Sequence, residues 1–417
     1  MKPSILLDGL VDKRSVRWVP MSHRLSSRDE TSIRVNNFSF LTNPNETLGT
    51  LSLIAEAETT CLSAQIDFLD AHCKDIGPWL VLAAMRSEMA PIFTGGKISR
   101  DMSKVISALK LDKALGFSLS YADKLKLEKE FGELWNDADD GHQDDVWAFP
   151  LRARRPAGTS TSETQHLDLQ AAERVGGDLC VAINKWLDEC ANQELTYSGI
   201  RRVKKITGEC LDNAERHSRR EYANDGDWMI TGFMAKRNGP NGPLFQCQLA
   251  FLSIGASIAD TITDAPDKTL TAMTRYVHLH RKSLSRYRHP DDHLRTIFAL
   301  QDTVTRDHDA AREGRGGTGF RDIVCLFGDL AGSDSVENDA VLAIVSGWSC
   351  LHIAHKYCAG RQPSPDERFN IWLNGENKYN EAPDFAAVDE LEKQFCGTLI
   401  TLGFTLDRAY LEKSINA

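Results

Sequence analysis

The stretch Thr207–Ser218, TGECLDNAERHS, decides how this chain is read. On a helix, Glu209, Asn213 and His217 stand at i, i+4 and i+8, a polar line drifting slowly around the axis. Ile206, Cys210 and Ala214 make a parallel apolar line suited to packing on a sheet. A carboxylate and an amide one turn apart can hold a metal ion and a water together. The carboxylate orients or deprotonates the water, and the amide oxygen is a hard ligand that suits Mg²⁺. An isolated E-x-x-x-N is common on surface helices, so its weight depends on its neighbours along the chain.

Three further elements follow in order. Leu252–Ile258, LSIGASI, comes directly after an apolar strand. Glu313–Phe320, EGRGGTGF, carries Gly314, Gly316, Gly317 and Gly319. Glycines let a backbone approach phosphate oxygens and aim N–H groups at them, and a helix starting at Phe320 would add its N-terminal amides. No G-K-[ST] follows, so this is not a Walker A loop. Cys396–Leu402, CGTLITL, places a Gly-Thr pair at the start of a terminal strand.

The wider pattern frames these elements. Ala171–Ala191 and Tyr197–Tyr222 read as long helices, and Asp227–Ala235 and Phe245–Ile254 as strands joined by the turn NGPNGP. A polar, basic helical region spans Asp267–Arg312, followed by a glycine cluster, a helix-like run, the segment Ala340–Ser346 and a closing strand, Gly397–Leu406. Upstream, Asn36–Leu41 and the apolar run Pro78–Met85 read as strands, Glu46–Ala71 and Asp101–Leu111 as helical. Asn136–Asp145 holds five aspartates, and Arg152–Gln165 is basic and then rich in small polar residues. Neither can bury much apolar surface, which divides the chain into an N-terminal α/β domain (1–145), a linker (146–165) and a C-terminal domain (166–417). Between the two polar runs, Val146–Leu151 has the makings of a short strand belonging to either side.

The 417 residues are 41% hydrophobic and 26% charged, an ordinary globular composition. The net charge of −10 disfavours a generic basic nucleic-acid binder. No apolar run reaches the length of a membrane span. The ten cysteines are scattered without a C-x-x-C pair, which fits reduced thiols in the cytoplasm. One local exception to the acidic charge is Arg275–Arg295, with six Arg/Lys and four histidines against Asp291 and Asp292. It reads either as a basic lid for phosphates or an acidic partner, DNA and RNA included, or as a solvated helix face. His289 and His293 have a superficial zinc spacing, but Pro290 fits only the first turn of a helix and no Glu stands second in the motif.

The order helix E-x-x-D-N-A-x-x-H, strand S-I-G-A-S-I, basic insert, G-R-G-G-T-G-F and G-T strand resembles the GHKL ATPase superfamily over residues 170–410. That superfamily joins gyrase B, the ninety-kilodalton heat-shock chaperone, histidine kinases, MutL-type repair proteins and anti-sigma-factor kinases. The segment ECLDNAERH is the closest match, to the form in anti-sigma-factor kinases and stand-alone bacterial ATP-binding proteins. The resemblance implies a two-layer α/β sandwich of the Bergerat kind, preceded by a small α/β domain similar to STAS modules. It implies ATP and Mg²⁺ as cofactors, Glu209 as general base and Asn213 as Mg²⁺ ligand. Gly255 and Ser253 would lie beside the adenine, Gly314, Gly316, Gly317 and Gly319 around the phosphates, and Thr398 in the adenine pocket. The family usually reads D-x-G-x-G where this chain has Ser253, Gly255 and Ser257, replacing a charged acceptor with a neutral hydroxyl.

The function so implied is Mg²⁺-dependent ATP hydrolysis in which lid closure gates a protein partner or a homodimer, in bacterial regulation or phage defence. Three alternatives stay open: an anti-sigma-type serine/threonine kinase, a non-enzymatic module with a degenerate nucleotide site, and a nucleic-acid clamp using the basic segment 275–295.

Overall fold

The computed structural model describes residues 4–11, 31–61, 63–90, 92–116, 146–154, 171–217, 227–239, 242–302, 304–305, 308, 320, 322–324, 340–358 and 370–407. The chain is mixed α/β, and its described residues form two sheets. In the N-terminal part, β1 (Thr31–Val35), β2 (Ala64–Phe68) and β3 (Phe93–Lys97) form a parallel sheet in that order. The described helices of this part are α1 (Ile5–Leu10), α2 (Pro44–Thr60), α3 (Gly77–Arg86), α4 (Arg100–Ala108) and α5 (Leu111–Leu115).

The second sheet is antiparallel throughout, built from β4 (Val146–Arg154), β5 (Trp228–Gly239), β6 (Gly242–Ile254), β7 (Val341–Ala354) and β8 (Val388–Asp407). Its strand order is β4-β5-β6-β8-β7. The first part of the segment read as a linker, residues 146–154, is thus an edge strand of this sheet. The principal described α-helices of this part are α6 (Ala171–Ala191), α7 (Tyr197–His217), α8 (Ile258–Thr261), α9 (Asp267–His280) and α10 (Pro290–Ala299). Among the described residues no helix is long and apolar enough to cross a membrane.

Alternation along the strands gives the antiparallel sheet two apolar faces. On β6, Phe245, Cys247 and Phe251 pack with α6 and α7, whereas Ala250, Leu252 and Ile254 join a core shared with α1, α2, α3 and the parallel sheet. On β7, Leu342 and Ile344 pack with the insert helices α9 and α10, whereas Ala343 and Val345 face the N-terminal core. One hydrophobic core therefore runs from the parallel sheet through a helical layer to the rear of the antiparallel sheet.

This layering corrects one expectation. Pro78–Met85 is not a strand but most of α3, in which every residue from Gly77 to Met85 is buried. A helix enclosed by two sheets is apolar all round, so it loses the amphipathic period and reads as a continuous apolar run. A second correction concerns Asn36–Leu41. The strand is Thr31–Val35, and the next residues turn away because side chains take their amides. The Phe38 amide donates to the Asp70 carboxylate (3.1 Å), and those of Phe40 (2.7 Å) and Leu41 (3.2 Å) donate to Asp75. The helical region expected over Asp267–Arg312 is broken at 281–289, with Pro290 opening α10 in its first turn.

Polar straps fix the N-terminal part to the antiparallel sheet. Thr401 of β8 donates to Asp75 at 2.6 Å, and Gln248 of β6 bonds the Lys74 carbonyl (2.7 Å) and the Ile76 amide (3.3 Å). Asn45, at the start of α2, bonds the Glu390 carbonyl and the Glu392 amide of β8, each at 2.9 Å.

Candidate nucleotide site

Helix α7 lies on the sheet through Val203, Leu211 and Ala214, all buried, which leaves Glu209 and Asn213 at the rim. Its orientation is pinned near the C-terminal end by Glu215, which accepts from the Trp228 indole N–H at 3.0 Å and pairs with Arg154 of β4. Nothing in the local sequence marks Glu215 for this role, because both partners come from distant strands.

Between α7, the sheet and the insert lies a cavity of about 210 Å³. Glu209 and Asn213 line it from α7, Ser253 from the end of β6 and Thr398 from β8. Ser253 and Thr398 are direct partners in the β6–β8 ladder. The wall is otherwise mainly apolar, with Trp228, Phe251 and Ile400 from the sheet and Ile258, Leu300 and Ile323 from the insert. Apolar walls with a few convergent polar groups are the usual make-up of a small-molecule site.

A glycine permits the close approach of β6 and β8. Gly397 has φ +133°, and a Cβ there would lie 2.1 Å from the Ser253 carbonyl oxygen. Gly255, at φ +142°, turns the chain out of β6 beside the cavity, next to the lining residue Ala256. Ser257 then caps α8, accepting from the Asp260 amide at 3.2 Å while donating to its carboxylate at 2.8 Å. The glycines expected around phosphates, Gly314, Gly316, Gly317 and Gly319, lie outside the described residues. The flanking Phe320 lines the cavity.

Cys210 also lines the cavity, but burial and then the charge of Glu209 push its thiol up to about 12. It is a packing residue, not a nucleophile. A second cluster mimics hydrolytic chemistry elsewhere. His293 Nδ1 is 2.7 Å from Ser349 Oγ, and its Nε2 is 3.6 Å from Glu390 Oε1. Ser349 and His293 are completely buried, so no substrate reaches them, and the cluster instead anchors α10 to β7 and β8.

The basic segment is less exposed in charge than it reads. Arg281 pairs with Asp291 (3.0 Å) and Arg295 with Asp292 (3.6 Å), and Arg286 lies over the Phe385 ring at 3.6 Å. His280 and His293 are buried, and His289 stacks on Trp348 with ring centroids 4.0 Å apart. Among the described residues no group of three or more His, Cys, Asp or Glu could hold a metal.

Comparison of the chain with family models, with curated proteins and with solved structures returned no match.

Proposed function

We propose that the chain is a GHKL-type protein that binds ATP with Mg²⁺ and hydrolyses it, closing the insert over the nucleotide to gate a partner or dimer contact. The observation that carries this reading is the convergence of Glu209, Asn213, Ser253 and Thr398, from three elements far apart in sequence, on one apolar cavity. An antiparallel sheet backed on the cavity side by α6 and α7 supports the sandwich that the resemblance implies.

The donor set fits Mg²⁺ only in company with phosphate. Asn213 offers one hard amide oxygen and Glu209 a carboxylate one turn away, while the described residues hold no multidentate cluster. Mg²⁺ is bound in just this way in many nucleotide sites, through one or two protein oxygens, waters and substrate phosphates. When bound, the ion neutralises phosphate charge. The chain's own work is then to hold and to move a proton. Trp228, Phe251 and Ile400 shed water from a flat apolar ring, Ser253 and Thr398 offer hydrogen bonds to its edge, and Asn213 orients the phosphate end. Glu209 accepts the proton of the attacking water at its carboxylate oxygen.

The described N-terminal elements lie behind the sheet, on the face away from the cavity. That arrangement favours transfer to water over transfer to a hydroxyl of the chain's own N-terminal part. Calorimetric titration with ATP and Mg²⁺ tests the proposal: binding with a stoichiometry of one is expected, and no heat at millimolar ATP would overturn it.

A further inference from the structure

The cavity hydroxyl of Thr398 has a neighbour that decides which way its proton points. Ser346 of β7 is fully buried and is not among the cavity-lining residues. Its Oγ lies 2.9 Å from the Gly397 carbonyl oxygen, 3.0 Å from Thr398 Oγ1 and 2.9 Å from the Ile258 amide nitrogen. A serine hydroxyl has one proton to donate and two lone pairs to accept with. A carbonyl oxygen only accepts, so the Ser346 proton goes to Gly397. An amide N–H only donates, so Ile258 takes one lone pair. The contact with Thr398 is then satisfied in one sense alone, with Thr398 donating to Ser346. With its proton turned inward, Thr398 can face the cavity only as an acceptor.

We infer that Ser346 is a positioning residue that fixes Thr398 as a hydrogen-bond acceptor and so selects a purine with an amino group at the 6-position over one with a carbonyl there. The inference rests on the reading of the cavity as a nucleotide site and adds the origin of its base preference. Adenine carries a donor at that position and a 6-oxo purine an acceptor, which would meet the Thr398 lone pairs with like polarity. Gly347, the next residue, has φ +60°, and a Cβ there would lie 3.1 Å from Ser257, so β7 can seat the start of α8 closely enough for the Ile258 bond. The same serine thus ties the base-facing hydroxyl to the insert that covers the cavity.

The test is a calorimetric comparison of MgATP with MgITP on the wild-type protein, Ser346→Ala and Thr398→Val, each checked for a folded far-ultraviolet spectrum. The wild-type protein should favour ATP by about tenfold or more, the size of one mismatched buried hydrogen bond. Ser346→Ala frees the Thr398 proton for donation and should bring the ratio near one, chiefly by strengthening ITP. Thr398→Val, which needs no change at Ser346, should weaken ATP and lower the ratio, with ITP bound less tightly than by Ser346→Ala because valine has no proton to donate. A wild-type ratio near one, or a ratio unchanged in Ser346→Ala, overturns the inference while leaving nucleotide binding intact. Should Ser346→Ala not fold, an ATP affinity unaffected by Thr398→Val overturns it equally. If the wild-type protein binds neither nucleotide, the site reading itself fails.

Discussion

Asp75 and Thr401 meet across the rear of the antiparallel sheet at 2.6 Å, joining the loop before α3 to the last strand. Asp75 is completely buried and also accepts from the amides of Phe40, Leu41 and Gly77 (2.8 Å) and from the Ser39 hydroxyl (3.4 Å). Asp75→Ala takes the buried acceptor from the Phe40 and Gly77 amides and the Thr401 hydroxyl and should cost at least about 3 kcal/mol, against about 1.5–3 kcal/mol for Thr401→Val. Urea unfolding should also show one transition for both parts of the chain, since they share a core. Two separate transitions in the wild-type protein would contradict this account of the interface.

Glu209→Gln keeps the shape of the cavity wall and removes the carboxylate that the proposal makes the proton acceptor. Turnover should fall by about 10²–10⁴-fold with ATP affinity essentially unchanged, as measured by phosphate release and calorimetry. Asn213→Ala should instead abolish the Mg²⁺ dependence of binding. A Glu209→Gln protein that hydrolyses ATP at the wild-type rate would remove Glu209 from the chemistry.

Ser253 gives the cavity rim a neutral hydroxyl opposite Thr398, at the place where the proposal puts the base. Ser253→Asp supplies a charged acceptor, and charge-assisted bonds are roughly twice as strong as neutral ones. Affinity for ATP should rise by about tenfold at neutral pH. An unchanged or weakened affinity would mean that this position does not face the base.

Gly397→Ala brings a Cβ against the Ser253 carbonyl at a backbone angle that L-residues rarely adopt. The backbone strain alone is worth about 1–3 kcal/mol. Because the clash sits where β6 and β8 meet beside the cavity, thermal stability and ATP affinity should fall together.

Acid should loosen the anchor of α10. Burial, partly opposed by Glu390, holds His293 down at about 4. For Glu390, burial works upward, but the amides of Arg288 and His289 and the nearby His293 hold the carboxyl below its ordinary value. Between the ordinary histidine range and pH 4 the unfolded chain binds a proton at residue 293 that the folded chain does not, so stability falls as pH falls. The urea midpoint should therefore drop between pH 7 and pH 4, and His293→Gln should flatten that part of the curve.

The legible parts of the chain were those whose signals are local. Helix α6 and the β5–β6 hairpin follow from period and turn residues, and the helix bearing Glu209 and Asn213 from a motif within one turn and a half. What stayed hidden depends on partners distant in sequence. The apolar run of α3 means strand or helix according to what surrounds it, and two sheets do. Thr31–Val35 is a strand rather than Asn36–Leu41 because Asp70 and Asp75 divert the later amides. Ser346 could not have been singled out at all: its three contacts are to Ile258, Gly397 and Thr398, each on a different segment from its own.

The enclosed helix α3 also constrains how the protein is made. During synthesis, residues 77–86 emerge long before β8, whose Leu399 and Phe395 help to cover them and whose Thr401 ties down the preceding loop. Until then a segment apolar on every side has no finished surface to lie against. Contacts of such long sequence separation slow folding and expose intermediates to aggregation. Cells expressing chains truncated before residue 388 should accumulate insoluble protein, and chains that include β8 should draw on chaperones that hold apolar segments until that strand arrives.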